Sequence, residues 1–292
     1  MPTHDRLALG TAQFGFAYGV ANRTGRVPPD EVAAILRHAS ACGIDMLDTA
    51  IDYVDSEATL GRCGLTGWRV VTKLPAVPAG IADARRWVRQ QVEESLERLG
   101  VTQLHGLLLH HPADIQGPNA KPLFNALMNV KAEGLAGKIG ASVYDPGDLD
   151  LLDKAMQLDL VQAPLSILDR RLVESGWAAK LKRQGTELHV RSAFLQGLLL
   201  MPADARPARF NRWQPLWNKW ARWLADTGLM PIEACLGYVF GVPEVDRVVV
   251  GVDGLPHLEQ ILAVAEAGLQ QEPPWAMSAD IELINPRSWS KS

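Results

Sequence analysis

The chain has 292 residues and a formal net charge of -4; hydrophobic residues make up 47% of it and charged residues 21%. This composition is typical of a globular protein with a large core and excludes an intrinsically disordered chain. The 29 basic residues form no run, and no segment reaches the roughly 18 uncharged apolar residues that span a bilayer. We therefore expect neither a nucleic-acid partner nor a membrane partner.

The amino terminus, MPTHDRLALGTAQFG, has no basic segment followed by a long apolar one, so a secretory signal is not predicted. The chain has three cysteines, an odd number, and they are widely spaced without a CxxC pair: Cys42, Cys63 and Cys235. This pattern favours a reducing compartment over a disulfide scaffold. The expected location is the cytoplasm.

Short apolar segments recur along the chain with helix-like segments between them. Val88, Val92, Leu96 and Leu99 follow spacings of four, four and three, which predicts an amphipathic helix. The segment 28–43 begins with prolines and acids and ends at a glycine, which predicts the first outer helix. The predicted strands are 7–10, 45–48, 69–73, 106–111, 138–142, 158–165, 187–192 and 246–252.

Eight such strand and helix units favour an α/β fold, the (β/α)8 TIM barrel, as a single domain over residues 1–292. An open doubly wound sheet is the alternative, but no GxGxxG turn follows the first strand, which counts against a Rossmann dehydrogenase. A C-terminal tail from about residue 269, with Trp275 and Trp289, is expected to fold over one end of the barrel.

The connection 196–228 is longer than the others and contains MPADARPARF followed by Trp213, Trp217, Trp220 and Leu224 at helical spacing. An apolar stripe of this kind usually packs into a core, so we expect these tryptophans to lie against the barrel. The proline- and arginine-containing loop before them is the stronger functional candidate.

Four chemically active side chains lie at the predicted carboxyl ends of strands, where barrels place their active sites. Asp48 ends the second strand, Tyr53 follows in its loop, Lys73 ends the third and His110 ends the fourth. Taken singly, each has an ordinary structural explanation, such as a helix cap or a surface charge. A buried Lys73 needs a carboxylate partner, however, and Asp48 on the neighbouring strand can supply it.

This arrangement predicts acid catalysis by Tyr53. A buried Lys73 ammonium beside the phenol is expected to favour phenolate and to lower the pKa of Tyr53 from about 10. Reducing a carbonyl requires an acid for the developing alkoxide. His110 is expected to orient the carbonyl oxygen or to share the proton.

The segments LGTAQFG, GIDMLDTAIDY with SEATLG, VVTK, LLLHHP, GKIGAS, LVQAP and FLQGLL resemble the signature segments of the aldo-keto reductases over nearly the whole chain. The resemblance implies a (β/α)8 barrel that binds NADPH, or less often NADH, and transfers hydride to an aldehyde or ketone or oxidises an alcohol. It assigns Asp48, Tyr53, Lys73 and His110 to catalysis.

The same resemblance implies the other contacts. Thr11 and Asp48 would lie near the nicotinamide ribose, and Ser142 and Gln162 would hold the carboxamide. Tyr53, His110 and His111 would border the substrate. The remaining cofactor positions implied are Arg191, Ser192, Phe194, Gly251 and His257.

The chain departs from the family pattern in three regions. Val143 stands where Asn often follows the serine, and Arg191 replaces a Tyr that commonly stacks on the nicotinamide; Arg191 could stack likewise or contact substrate. NADPH-selective members usually place Lys or Arg after the last strand, whereas this chain has Asp253, which would repel a 2′-phosphate, and His257, a weak phosphate ligand.

No metal site is predicted. His110 and His111, with Asp114, are suitable ligand types, but neighbouring residues of a strand point to opposite faces, so the two histidines would share a metal only if the strand ended between them.

Two other function classes remain open. A cofactor-binding regulatory protein that resembles the potassium-channel β subunits would share the barrel and the catalytic residues. An unrelated barrel hydrolase or isomerase would need a metal cluster or a phosphate-binding glycine turn, which VVVGVDG matches weakly. The substrate depends on loops 112–122 and 196–212 and on the tail; their tryptophans permit hydrophobic carbonyls, whereas Arg191, Arg206 and Arg209 permit acidic ones.

Overall fold

In the computed structural model, the described residues are 3–116, 120–264, 275 and 280–291, and within them eight parallel strands close into one barrel. Each strand pairs with its sequence neighbour, and the last pairs with the first. The strands are β1 (Leu7–Gly10), β2 (Met46–Asp48), β3 (Arg69–Leu74), β4 (Leu104–Leu109), β5 (Ala136–Ser142), β6 (Leu160–Pro164), β7 (Glu187–Arg191) and β8 (Arg247–Gly251). The predicted (β/α)8 architecture is confirmed.

Helices surround the barrel and join its strands. They are α1 (Ala12–Gly15), α2 (Pro29–Ala41), α3 (Ser56–Cys63), α4 (Ala84–Leu99), α5 (Ala120–Ala132), α6 (Pro146–Ala155), α7 (Arg171–Glu174), α8 (Trp177–Gln184), α9 (Gln214–Thr227), α10 (Pro231–Phe240), α11 (Leu255–Val264) and α12 (Ile281–Ile284). Short 3₁₀ segments lie at Thr3–Arg6, Pro112–Ile115, Leu198–Leu200, Ala203–Ala205, Ala208–Trp213 and Pro286–Lys291.

The helix bounds follow from the sequence chemistry. The Asp83 side chain accepts a hydrogen bond from the Arg86 amide at 2.9 Å, which caps α4 at its start, and Gly100 ends it in the left-handed conformation. Val88 and Val92 are fully buried, so the predicted apolar stripe faces the strands.

Two apolar layers hold the barrel. The larger core lies between strands and helices, and the smaller one fills the barrel interior. The interior layer consists of Ala8, Met46, Val71, Leu108, Leu160 and Val249. This layer fills the interior, and the carboxyl ends of the strands, where barrels place their active sites, form the mouth above it.

The tryptophan stripe of α9 packs as predicted. Trp217 and Trp220 are buried, and Trp213 is partly buried. Trp275 and Trp289 contact Trp220 and Phe210 respectively. The predicted start of the tail near residue 269 lies outside the described residues.

No helix within the described ranges is long and apolar enough to cross a membrane. Cys42, Cys63 and Cys235 are free thiols.

Candidate active site

A buried ion pair lies at the carboxyl ends of β2 and β3. Lys73 Nζ donates to both carboxylate oxygens of Asp48 and to the carbonyl of Thr49, each at 2.8 Å. The side chains are only 1% and 5% exposed. Burial lowers the pKa of Lys73, and the Asp48 carboxylate opposes that shift. The predicted Asp48–Lys73 pair is therefore present.

Tyr53 lies in the turn between β2 and α3, beside this pair. Its ring centroid is 5.3 Å from Lys73 Nζ. The turn is closed by hydrogen bonds from Tyr53 N to Ala50 O at 3.0 Å and from Ser56 N to Tyr53 O at 2.9 Å. A Cβ on Gly15 would lie 1.9 Å from the Tyr53 carbonyl, so only glycine at that position lets α1 approach the turn.

The expected lowering of the Tyr53 pKa is wrong for this state of the protein. Burial, together with the Asp48 carboxylate, raises the pKa of Tyr53 well above its ordinary value. The Lys73 ammonium, which is paired with Asp48, does not overcome this rise. The phenol therefore keeps its proton and is a donor at neutral pH.

His110 lies one residue beyond the end of β4, whereas the predicted strand extended to residue 111. Its ring meets the Tyr53 ring edge to face at a centroid distance of 6.0 Å. Burial, followed by the positive charge of Lys73, lowers the pKa of His110 to about 3. A neutral imidazole therefore stands beside the Tyr53 phenol.

Strand alternation does not separate His110 from His111, because both residues follow β4. Their ring centroids are 5.3 Å apart, and ligand-type atoms of these two residues and Asp52 lie within 4.8 Å of one another. Asp52 Oδ2 is 3.6 Å from His110 Nδ1. Asp114 instead accepts a hydrogen bond from the Val77 amide at 3.1 Å. The geometric objection to a shared metal is therefore wrong, while the predicted third ligand lies elsewhere.

Gln162 joins the ion pair to the far side of the mouth. Its Nε2 donates to Asp48 Oδ1 at 2.6 Å, while its Oε1 is buried with no hydrogen-bond partner among the described residues. Ser142, at the end of β5, is in register with Gln162. An unsatisfied buried acceptor costs stability, and the NH₂ of a nicotinamide carboxamide would satisfy it. The two residues thus fit the predicted carboxamide site.

Thr11 connects the end of β2 to the start of α3 by hydrogen bonds. Its hydroxyl donates to the Asp48 carbonyl at 3.0 Å and accepts from the Ser56 hydroxyl at 2.8 Å. These fully buried groups fix the start of α3 against β1 and β2, which holds the Tyr53 turn.

A cavity of about 510 Å³ opens beside Tyr53 and runs across the mouth. Among the described residues, its lining contains predicted residues from four elements but does not contain Ser142, Gln162, His110 or His111. The predicted residues that line it are Thr11, Asp48, Tyr53, Arg191, Ser192, Phe194, Gly251 and His257.

The loop after β7 has an unusual backbone. Ser192, Leu195 and Gln196 have φ values of 67°, 46° and 55°, a left-handed conformation that costs energy in residues other than glycine and is found mainly at functional sites. Arg191 Nη2 donates to the Val143 carbonyl at 2.9 Å, and its guanidinium lies 4.3 Å from the centroid of Tyr144. The sequence left two roles open for Arg191, stacking on the nicotinamide or contact with substrate. In this structure its guanidinium lies over the Tyr144 ring.

At the end of β8, Asp253 occupies the cavity wall. Its Oδ1 accepts a hydrogen bond from Asn22 Nδ2 at 3.0 Å, and burial raises its pKa. The side chain is 20% exposed, compared with 55% for His257. The backbone N–H of Asp253 donates to His257 Nδ1 at 3.4 Å. The carboxylate is thus the more enclosed group of this pair.

Sequence reasoning missed the contribution of the segment between α1 and α2. Tyr18, Asn22 and Arg23 all line the cavity. Two sequence features could have indicated this contribution: the length of the connection, residues 16–28, and the presence of a basic residue on a loop at the mouth.

A second polar cluster lies at the opposite, amino-terminal end of β4, β5 and β7. Glu187 accepts hydrogen bonds from His189 Nε2 at 2.6 Å, from His105 Nε2 at 3.2 Å and from Lys138. Although burial alone would raise it, the pKa of Glu187 is held well below its usual range by these donors. Burial lowers the pKa of His189. This cluster links β4, β5 and β7 near their amino-terminal ends.

These pKa shifts predict acid sensitivity. His110 and His189 have folded pKa values below their unfolded value of about 6.5, so below that pH the unfolded chain binds protons that the folded chain excludes, and stability is lost as pH falls from 6.5 toward 3. Thermal unfolding of His110→Gln between pH 8 and pH 4 is expected to show a shallower decline than wild type. The difference between the unfolding temperatures of the two proteins at pH 8, where both histidines are neutral, is the baseline. Unfolding temperatures that fall in parallel below pH 6.5 would contradict this assignment.

Known proteins resemble this chain in sequence and in fold. The family model described as "Aldo/keto reductase family" matches residues 6–275. The NADH-specific methylglyoxal reductase of Escherichia coli K12 is 27% identical over 224 residues, which cover 68% of this chain and 66%, just under two thirds, of that protein.

Two solved structures illustrate the fold. The holo form of the aldo-keto reductase AKR11C1 from Bacillus halodurans aligns with a TM-score of 0.72 at 20% identity, covering 95% of this chain and 91% of that one. The glycerol dehydrogenase AKR11B4 from Gluconobacter oxydans aligns with a TM-score of 0.70 at 21% identity, covering 96% and 92%. The family match over most of the chain and the barrel geometry agree, and the chain therefore belongs to the aldo/keto reductase family.

Proposed function

We propose that the protein reduces a carbonyl compound with a nicotinamide cofactor and that Tyr53 is the general acid. One observation carries the proposal: a protonated Tyr53 phenol stands between a buried Asp48–Lys73 pair and a neutral His110, at the wall of the 510 Å³ cavity. A protonated phenol in this position can supply the proton that the product oxygen requires.

The cofactor, when bound, supplies hydride to the carbonyl carbon. Tyr53 Oη gives its proton to the carbonyl oxygen, so an alcohol forms, and the phenolate regains a proton from solvent. Lys73 stabilises the transient phenolate because its ammonium lies 5.3 Å from the ring. His110, held neutral, orients the carbonyl oxygen by a hydrogen bond.

The proposed cofactor contacts lie along the cavity and beside it, where Gln162 contacts the cavity residue Asp48. Gln162 Oε1 and Ser142 would hold the carboxamide, while Thr11 and Asp48 would meet the adjoining ribose. The strained loop at Ser192 and Phe194, together with Gly251, would face the pyrophosphate. His257 and Asp253 would then lie toward the adenosine end.

We further propose that NADH, not NADPH, is the preferred cofactor, against the family-based expectation. The enclosed Asp253 carboxylate, oriented by Asn22, would oppose a 2′-phosphate and would accept a hydrogen bond from a 2′-hydroxyl. The Escherichia coli relative is described as NADH-specific, which supports this choice.

Fluorescence titration tests the cofactor preference. Wild type is expected to bind NADH at least about tenfold more tightly than NADPH, because like-charge juxtaposition costs several kcal/mol. Asp253→Ser is expected to tighten NADPH binding about tenfold and to weaken NADH binding, because it removes the carboxylate that would accept from the 2′-hydroxyl. Lys219→Gln, an exposed change on α9, is the control. Equal affinity of wild type for both nucleotides would overturn the preference.

The reducing direction and a small aldehyde are proposed on the name of the methylglyoxal reductase relative. Loss of NADH absorbance at 340 nm with methylglyoxal tests the activity. Cofactor binding without turnover of methylglyoxal or of a panel of aldehydes and ketones would favour the regulatory class instead.

A further inference from the structure

Three side chains of metal-ligand type meet at the mouth, beside the cavity. Asp52 lies in the loop between β2 and α3, whereas His110 and His111 directly follow β4. One ligand-type atom of each residue lies within 4.8 Å of the other two, and Asp52 Oδ2 is 3.6 Å from His110 Nδ1. Loops from two strands that are not neighbours in the barrel thus bring two imidazoles and a carboxylate together.

The spacing of these three ligand atoms is close to that of a tetrahedral metal site. Zinc bonds to nitrogen and oxygen of about 2.0–2.2 Å place the ligand atoms of a tetrahedron about 3.4 Å apart. The 3.6 Å between Asp52 and His110 is already near this value. The other two pairs must close by at most about 1.4 Å, a shift within reach of side-chain rotation because Asp52 is exposed and His111 is only half-buried.

The Nδ1 atom of His110 has no other partner to satisfy it. It is buried and forms no hydrogen bond with any described residue, and the Asp52 carboxylate at 3.6 Å is beyond hydrogen-bond distance. A buried polar atom without a partner costs stability, and a metal ion on this nitrogen would remove that cost. Coordination through Nδ1 leaves the proton on Nε2, so it is compatible with the hydrogen bond proposed for His110.

The surroundings of the three residues favour reversible binding over a permanent structural metal. The Asp52 side chain is 44% exposed and that of His110 14% exposed, so a hydrated cation can reach the ligands from solvent. Positive charges on Lys73, Arg191 and Arg287 act on His110, and they oppose a divalent cation that only one carboxylate compensates. We therefore expect weaker binding than at a closed structural zinc site.

We propose that Asp52, His110 and His111 form a reversible binding site for a divalent transition cation such as Zn²⁺. Two imidazoles with one carboxylate are a ligand set that suits Zn²⁺, whereas Mg²⁺ selects oxygen ligands and octahedral geometry. Three protein ligands leave the fourth position of a tetrahedral ion to water. The inference concerns binding, and it does not depend on the proposed carbonyl reduction.

Isothermal titration calorimetry of the full-length protein, freed of metal with a chelator and carrying no polyhistidine tag, tests the proposal. Titration with Zn²⁺ is expected to show saturable binding of one ion per chain, and Mg²⁺ is expected to bind at least about 100-fold more weakly. Co²⁺ in the same site should show the visible absorption of a tetrahedral ion without a thiolate charge-transfer band, because no cysteine is among the three ligands.

Single substitutions of the ligands locate the bound ion. His111→Gln and Asp52→Asn each remove one ligand at nearly constant size, and each is expected to weaken Zn²⁺ binding at least about tenfold, since loss of outer-shell partners alone costs about 10- to 100-fold. His38→Gln is the matched control: on α2 the His38 Nε2 lies 3.9 Å from Cys42 Sγ, another pair of ligand type. It is expected to keep wild-type affinity. Thermal unfolding verifies that each variant is folded.

Three outcomes would overturn the inference. Absence of saturable Zn²⁺ binding by the wild type would show that the three side chains do not form a site. Unchanged affinity in either His111→Gln or Asp52→Asn would remove that residue from the ligand set. Loss of binding in His38→Gln would assign the ion to α2 instead. None of these measurements involves turnover, so failure of the metal site is distinct from failure of the proposed carbonyl reduction.

Discussion

Replacing Tyr53 with phenylalanine is expected to lower kcat about 10²- to 10⁴-fold while NADH affinity changes by less than about twofold. The substitution removes the donated proton but keeps the ring that packs between Phe16 and His110. Steady-state kinetics with methylglyoxal and fluorescence titration with NADH measure the two quantities separately.

Tyr18→Phe is the matched control for this substitution. Tyr18 lines the same cavity, and its hydroxyl accepts a hydrogen bond from Gln196 Nε2 at 3.1 Å, but it does not contact Lys73 or His110 in the structure. We expect it to lose less than about tenfold in kcat. Equal losses in the two variants would show that Tyr53 has no special role as an acid.

Lys73→Met is expected to destabilise the fold by about 3–5 kcal/mol, because it leaves the Asp48 carboxylate buried without its cation. Activity should fall at least as far as in Tyr53→Phe, since the phenolate loses its stabilising charge. Denaturant unfolding and kinetics on the same preparation provide the measurements.

The double variant Asp48→Asn with Lys73→Met separates stability from catalysis. Neutral residues of similar volume often replace a buried ion pair with little loss, so we expect stability within about 2 kcal/mol of wild type and no recovery of activity. Recovery of kcat together with stability would mean that the pair is needed only for folding.

Much of the mouth could be predicted because local patterns report strand ends. The apolar segments before Asp48 and Lys73 end within a residue of the observed strands, and parallel pairing then places both side chains at one edge. The sequence predicts that β4 extends to residue 111, because no turn residue separates the two histidines from the apolar segment before them, whereas the strand ends at Leu109. The sequence therefore does not predict the close approach of His110 to His111.

Long-range features were less accessible from sequence. The Tyr53 pKa depends on how completely Asp48 neutralises Lys73, and this requires coordinates. The contacts of Arg287 with Tyr144, and of Glu187 with His105, join segments far apart in the chain, so no local periodicity reports them. The proline- and arginine-containing loop, which the sequence indicates as a functional candidate, does reach the site, because Met201, Pro202 and Ala205 line the cavity.

The most direct test of the central claim is isotope transfer. Protein incubated with NADH deuterated at both C4 positions and with methylglyoxal is expected to yield an alcohol one mass unit heavier by mass spectrometry, with NAD⁺ formed in equal amount. Tyr53→Phe should yield the same labelled product at a greatly reduced rate. Tight NADH binding with no deuterium in any product, across methylglyoxal and a panel of aldehydes and ketones, would contradict the assignment of this barrel as a carbonyl reductase.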